Sequence, residues 1–385
     1  MACEQLTRLG DVIELEDVKR EPISSRDRKD RKGSYPYYGA QGIVDYLDDY
    51  TYEGDYLLVA EDGENLRSRK NPIANAASGK FRVNNHAHVI AESEKCNLVF
   101  LRHLLNMTDI SAYVTGSTQP KLSQSNLCAM KLPLPSMAEQ NAIANVLSLF
   151  DRKIELNNQL NDYLFELVSS VFAHRFSDNV NTTELKNVLS ILTKALKPQE
   201  HADEIWEHYS IPAFDEKHRP IFEPASGIKS NKYQIDSECI LISKLNPSTK
   251  RIWMPCCSSN NAVCSTEFIV YRPYLKEYKS FYYAAIDSPR FTDYLLEHVS
   301  GSTGSRQRAQ PKDTLNYLMP NPDNEEIKDF CTFADPIYRH IQINEQQTAK
   351  LELLRETLLP KLMSGAIDVS KVDLTQLTNN HLADY

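Results

Sequence analysis

Glycine is scarce in this chain, at 12 of 385 residues. None falls in a G-x-x-x-x-G-K-[ST] or G-x-G-x-x-G pattern, which excludes the usual phosphate cradle and dinucleotide fingerprint. An H-E-x-x-H zinc pair is also missing. Apolar runs such as "IANVLSLF" at 143–150 fall far short of the ~20 residues a membrane helix needs, so a soluble protein with no membrane partner is expected. The eight cysteines (Cys3, Cys96, Cys128, Cys239, Cys256, Cys257, Cys264, Cys331) lack the spacing of a disulfide framework, and Cys256, Cys257 and Cys264 lack C-x-x-C spacing. With the charged opening "MACEQLTRLGDVIELEDVKR", this predicts a reducing cytoplasm. Net positive charge is absent too: the chain carries −9, which opposes strong unaided affinity for nucleic acid.

What is present is a repeat. "GSTQPK" at 116–121 returns within "GSTGSRQRAQPK" at 301–312, and each copy precedes a proline-containing run ("LPLP" at 132–135, "LMPNP" at 318–322) and a long helical pattern. "IELN" at 154–157 aligns with "IQIN" at 341–344, and the same offset places Leu164, Leu167, Val171 and Phe172 on Leu351, Leu354, Leu358 and Leu359. The openings "TRLGDVI" (7–13) and "TELKNVL" (183–189) also match in their apolar positions. With 41% hydrophobic residues, the length suits two globular domains.

The two helical patterns carry heptad-like seams: Ile143, Leu147, Phe150, Ile154, Leu164, Val168, Val171 in one, and Phe330, Ala334, Ile337, Ile341, Leu351, Leu358 in the other. Asn157 and Asn344 sit at the same polar position, either buried to set register or facing solvent on a slightly overwound helix. Pro336 predicts a break, with Asp335 as N-cap, so that the second helix begins in two pieces. The regions between, with strand-like runs at 55–60, 81–90, 238–245 and 267–272 and helices at 97–107 and 289–299, read as two unlike α/β or α+β domains.

Catalytic signals are weak. "NPIA" (71–74) and "DPIY" (335–338) lack the second proline of the adenine-methyltransferase motif, and His86 and His88 have no evident third metal ligand. Polar loops rich in Arg, Lys, Asn, Gln, Ser and Thr occur in both halves: "SYPYYGAQG" (34–42), "GKFRVNNH" (79–86), "GSTQPK", "GIKSNKY" (227–233), "SKLNPSTKR" (243–251) and "GSTGSRQR" (301–308). These residue types suit base edges and phosphates, and basic clusters at 26–32, 67–70, 217–219 and 305–312 add positive edges to an acidic body.

The chain resembles the specificity subunit of type I restriction-modification systems along almost its whole length. "YPYYGAQGIVDYLDDYTYEGDYLLVAEDGENL" with "GKFRVNNHAHVI", and "YSIPAFDE" with "IKSNKYQIDSECILISKLNPSTKRIW", are similar to two versions of that family's target recognition domain. "LPLPSMAEQNAIANVLSLFDRKIELNNQL" resembles the central spacer and "LLPKLMSGAIDV" the end of the distal one, although "NPDNEEIKDFCTFADPIYRHIQINEQQ" loses the usual Ala/Glu-Gln opening.

The resemblance implies an α/β (α+β) fold with two globular recognition domains and two long antiparallel coiled-coil helices in a pseudo-two-fold repeat. The boundaries would be 1–136 for the first recognition domain, 137–180 for the central spacer, 181–322 for the second domain and 323–385 for the C-terminal spacer and tail. It implies double-stranded DNA, two adenine methyltransferase subunits and restriction subunits as partners. No cofactor is expected in this chain: S-adenosylmethionine would belong to the methyltransferase, and ATP and Mg²⁺ to the restriction subunit. The expected DNA contacts are Tyr37, Tyr38, Gln41, Arg67, Lys80, Arg82, Asn84, Asn85, Ser117, Thr118, Gln119 and Lys121 in the first half. In the second they are Lys217, Arg219, Lys229, Ser230, Asn231, Lys232, Lys244, Asn246, Ser302, Thr303, Arg306 and Arg308. The rivals are an autonomous DNA methyltransferase or nuclease with degenerate motifs, and a helical scaffold whose domains bind protein or glycan.

Overall fold

In a computed structural model of the chain, residues 6–300 and 307–369 are described. Two compact units emerge, one built from residues up to Glu155 together with those from Lys350 onward, the other from Leu156 to Ala349. The division falls inside both long helices, Met137–Phe176 and Asn324–Met363, each of 40 residues and roughly 60 Å long at ~1.5 Å per residue. No helix among the described residues is long and apolar enough to cross a membrane.

Both helices begin on the same device. Glu139 accepts from the backbone N–H (3.0 Å) and hydroxyl (2.7 Å) of Ser136, whose hydroxyl accepts from the Glu139 N–H (3.4 Å). Asp323 accepts from the N–H groups of Glu325 and Glu326, while the Glu326 carboxylate accepts from the Asp323 N–H at 3.3 Å. Each is a capping box that satisfies donors the first turn leaves open. The break expected at Pro336 is absent: the helix passes through it, and Asp335 accepts from the Ser280 hydroxyl instead of capping. An interior proline costs about 3 kcal/mol; here the buried stripe Phe330, Ala334, Tyr338 and Ile341 holds the helix along the core of the second unit.

Within the second unit the helices run antiparallel. Asn157 donates to the Thr348 hydroxyl (3.4 Å), Asn344 donates to Asn161 (2.8 Å), and the Phe165–Tyr338 and Phe172–Phe330 ring pairs follow as one helix ascends and the other descends. Asn157 and Asn344 are thus buried. Within the first unit Leu351 and Leu362 join Ile143, Leu147 and Phe150 in one core, and Arg355 reaches Asp151 at 2.5 Å.

The two domains, expected to be unlike, share a core sheet and differ in what is built onto it. In the first, an antiparallel sheet runs in the order Glu14–Leu15, Ala87–Ala91, Tyr52–Ala60, Ala74–Val83. In the second, Leu189–Leu192, Phe268–Pro273, Ile240–Ser243 and Ile252–Trp253 occur in the same order, also antiparallel. Registers agree residue for residue: Leu15 opposes Ile90 as Ile191 opposes Tyr271, and Leu57 opposes Ile90 as Ile240 opposes Tyr271. Entry strands Leu6–Arg8 and Thr182–Glu184 pair with Lys131–Pro133 and Leu318–Pro320, each leading into a short 3-10 turn with a fully buried leucine, Leu9 or Leu185. Such a side chain contributes about 2 kcal/mol by burial.

The differences lie in what is inserted between the core strands. The first domain adds the hairpin Lys32–Gly39 and Gly42–Leu47 to the edge of its core sheet. The second builds a separate five-stranded sheet from Ala195–Leu196, Lys232–Gln234, Ala262–Ser265, Ile205–Tyr209 and Ile221–Pro224. Period-two alternation in Tyr52–Ala60 serves two cores, with Leu57 and Val59 facing the helices and Leu58 joining Tyr52, Phe81 and Val89 on the other side.

Candidate nucleic-acid interface

The segment after strand Tyr52–Ala60 is clamped by backbone bonds. The Glu61 N–H donates to the His86 carbonyl (2.8 Å), the Glu61 carbonyl accepts from the Leu122 N–H (2.7 Å), and the Gly63 N–H donates to the Pro120 carbonyl (3.1 Å). The second domain repeats every bond. The Lys244 N–H donates to the Glu267 carbonyl (2.9 Å), the Lys244 carbonyl accepts from the Ala309 N–H (2.9 Å), and the Asn246 N–H donates to the Gln307 carbonyl (3.0 Å). Bridges Asp62–Lys121 and Leu245–Arg308 complete the match. Gly63 and Asn246 both take left-handed backbone, with φ of 107° and 48°, a conformation that glycine and asparagine tolerate best.

On this common frame the side chains differ. In the first domain the Glu61 carboxylate accepts from Arg20 (2.6 Å) and pairs with Lys121 (3.1 Å). Burial would raise its pKa, but these cations outweigh burial and hold it below the ordinary carboxylate value. Beneath lies His88, its Nδ1 2.7 Å from Asp17 and its Nε2 2.8 Å from the Leu122 carbonyl. In the second domain Arg308 lies along the Glu267 carboxylate at 3.1 and 3.5 Å. The Asn246 side-chain oxygen there is buried without a hydrogen-bond partner among the described residues.

Above the frame in the first domain rises a closed loop. Thr115 and Lys121 exchange backbone bonds of 2.8 Å each, and Gly116 (φ 85°) makes the tight turn, where a Cβ would come 2.2 Å from the Gln119 carbonyl. Arg67 donates to the carbonyls of Gly116 and, at 3.0 Å, Ser117. Arg67, itself exposed, thus braces the loop, and Ser117, Thr118 and Gln119 stand exposed at the tip. In the second domain Val299–Ser300 pairs with Arg308–Ala309. Ser302, Thr303 and Arg306 lie outside the described residues.

Four stretches chosen from sequence in the first domain meet here. Asn84 donates its N–H to the Tyr38 carbonyl (3.0 Å) and accepts from the His86 N–H (2.8 Å), which links Tyr38, Asn84, exposed Asn85, Lys121 and the loop. Gln41 is exposed in the hairpin turn before Gly42. Lys80 is exposed too, but its ammonium sits 4.6 Å from the Tyr50 ring centre, beside Glu53. In the second domain the frame joins Lys244, Asn246 and Arg308. Lys229, Ser230 and Asn231 are exposed on the turn before Lys232–Gln234, and Lys217 and Arg219 flank His218, which pairs with Glu345 at 3.1 Å.

Three expected contacts are interior instead. Tyr37 is 1% exposed, its hydroxyl accepting from the Ile23 N–H (2.9 Å). Arg82, 4% exposed, is neutralised by Glu21 (2.5 Å) and Asp49 (2.8 Å). The Lys232 ammonium folds onto the Ser230 carbonyl (2.9 Å) and hydroxyl (2.7 Å), and burial pushes its pKa down. His86 and His88 go to separate carboxylates, Asp62 (2.7 Å) and Asp17. No group of three metal-ligating side chains occurs among the described residues. The frame carboxylates Glu61, Asp62 and Glu267 carry no common sequence signal, since Glu61 and Asp62 follow strand Tyr52–Ala60 whereas Glu267 precedes Phe268–Pro273.

Fold and rims together define a duplicated α/β protein, two variants of one domain mounted on paired helices, each presenting a polar edge. Residues 5–164 match the family described as type I restriction modification DNA specificity domain. It is 37% identical over 139 residues to a putative type I restriction enzyme specificity subunit of Haemophilus influenzae, covering 36% of this chain and 35% of that protein. The matched stretch thus spans about a third of that relative's length. A specificity subunit of the type I restriction enzyme MjaIX of Methanocaldococcus jannaschii is 24% identical over 353 residues, covering 82% of this chain and 80% of that one. The fold is similar to the crystal structure of a type I restriction-modification S subunit from M. genitalium, with a TM-score of 0.60 at 18% identity, covering 93% and 95% of the two chains.

Proposed function

We propose that this chain is the DNA-reading subunit of a type I restriction-modification complex. Each domain reads one half of a bipartite, asymmetric duplex target through its polar rim, and the paired helices dock two adenine methyltransferase subunits, which restriction subunits join. The observation that carries this reading is the backbone frame present in both domains with different side chains upon it. One frame with two side-chain sets is what two unequal half-sites require, and half-sites about 10 bp apart centre to centre would face one side of the duplex.

The chain's own work is to bind and to orient, in the cytoplasm, while S-adenosylmethionine, ATP and Mg²⁺ serve its partners. Leu156, Leu160, Tyr163 and Leu167 are exposed in one stripe at spacings of four and three, which supports helix-on-helix docking of a partner. The test is to co-express the full chain with an adenine methyltransferase subunit of such a system and to map methylated adenines by methylation-sensitive sequencing. A gapped, asymmetric motif that disappears without this chain supports the reading. Methyl transfer or DNA cleavage by the purified chain alone, with methyl donor or Mg²⁺, favours the autonomous enzyme.

A further inference from the structure

We infer that Lys121 and Arg308 are equivalent specificity positions, one per domain, each held on a carboxylate of its own frame until DNA displaces that partner. The inference rests on the DNA-reading function above and deepens it. The pair keeps the offset of the helices (308 − 121 = 341 − 154 = 187), whereas their frame partners do not, Lys244 lying 183 residues after Glu61 and Glu267 181 after His86. The equivalence comes from bonds: Lys121 lies between Pro120 and Leu122, which bond to Gly63 and Glu61, and Arg308 lies between Gln307 and Ala309, which bond to Asn246 and Lys244. Each bridges the residue between those partners, Asp62 or Leu245. Each also ends a Gly-Ser-Thr stretch, closed by the Thr115–Lys121 pair in one domain and the Ser300–Arg308 pair in the other.

Their electrostatic state matches as well. Lys121 sits 3.1 Å from Glu61, and Arg308 3.1 Å from Glu267. The carboxylates come from different places on the frame, since Glu61 corresponds to Lys244 and Glu267 to His86. Cation next to carboxylate at this point is therefore built twice by different residues. Side chains of Lys121 and Arg308 are about half exposed (53% and 48%), so an incoming duplex can reach them. The Arg308–Glu267 pair is open to solvent and worth little, and the less exposed Glu61 keeps Arg20 when Lys121 leaves it, so exchanging the carboxylate for a guanine edge loses little, whereas a base without an acceptor leaves the cation on its protein partner. Pairing also cancels charge that would otherwise bind any phosphate, favouring selectivity over affinity in an acidic chain.

The test uses the full chain with its methyltransferase partner and a randomised duplex library, comparing wild type with Lys121→Gln and Arg308→Gln. Each variant is expected to lose roughly 10- to 100-fold discrimination at a single base pair, in one half-site for Lys121→Gln and in the other for Arg308→Gln. Glu267→Gln should alter selectivity at the base pair governed by Arg308 and leave the Lys121 base pair untouched. Equal weakening on all sequences, or both variants acting in one half-site, overturns the inference while the function stands. Failure of wild type to select any gapped motif overturns the function itself, and this inference with it.

Discussion

The Asn344 side chain donates to the Asn161 oxygen at 2.8 Å inside the helix seam, and Asn157, its counterpart in the repeat, donates to the Thr348 hydroxyl at 3.4 Å. Asn161 follows Asn157 by one helical turn, and Thr348 follows Asn344 likewise, so the two bonds are copies related by the pseudo-two-fold. A buried polar pair of this kind specifies register, because a slipped seam would leave amides unpaired.

Asn344→Ala should therefore destabilise by about 1–3 kcal/mol, since the Asn161 amide is left buried without its partner. The double variant Asn161→Leu/Asn344→Leu should recover much of that loss in urea melts. A double variant as unstable as the single one would show that the pair contributes more than mutual satisfaction.

Asp151 ties three elements of the first unit, accepting from Arg102, from His103 (3.1 Å) and from Arg355 (2.5 Å). Burial would raise its pKa, but the His103 bond, the Arg102 charge and the Arg355 bond outweigh burial and hold the carboxyl well below its ordinary range. With the folded value depressed, its stabilisation is complete above the unfolded pKa of ~3.9 and fades as pH falls through the folded value. Asp151→Asn should cost about 1–3 kcal/mol near pH 7. The gap to wild type should shrink in strong acid as Asp151 itself is protonated, as read from denaturant midpoints across pH.

Gly116→Ala places a Cβ against the Gln119 carbonyl at a left-handed backbone position. The loop must open, at a cost of about 1–2 kcal/mol confined to it. The expected outcome is a nearly unchanged melting temperature with weakened selection of one half-site. Gly63→Ala meets nothing within 4 Å, so it tests backbone strain alone and should be the milder change.

Asp323→Ala removes the acceptor for the Glu325 and Glu326 N–H groups, and should cost about 0.5–2 kcal/mol, while Asp323→Ser should retain most of the stability. Circular dichroism melts of the full chain read both.

Some of this was legible in the residues. Spacing of three and four along 143–171 and 330–358 predicted the paired helices, and the Gly-Ser-Thr phrases and the matched openings predicted duplication, because helix period and chain copying leave marks in local order. Pro336 misled, since a local rule forbids it in a helix interior while burial of Phe330, Tyr338 and Ile341 on either side retains it there. Arg82 and Tyr37 lie inside for another reason: residue type says what a side chain can bond, but not whether the chain's own backbone and carboxylates reach it first.

By itself, then, the sequence determined the repeat, the two helices with their asparagines, and the kinds of polar group available at the loops. Tertiary structure alone decided that both domains share one sheet and one backbone frame, and which polar groups remain outside it. Pairing between strands distant in the chain sets that frame, and insertions of unequal length erase its trace from linear order while leaving the hydrogen bonds intact.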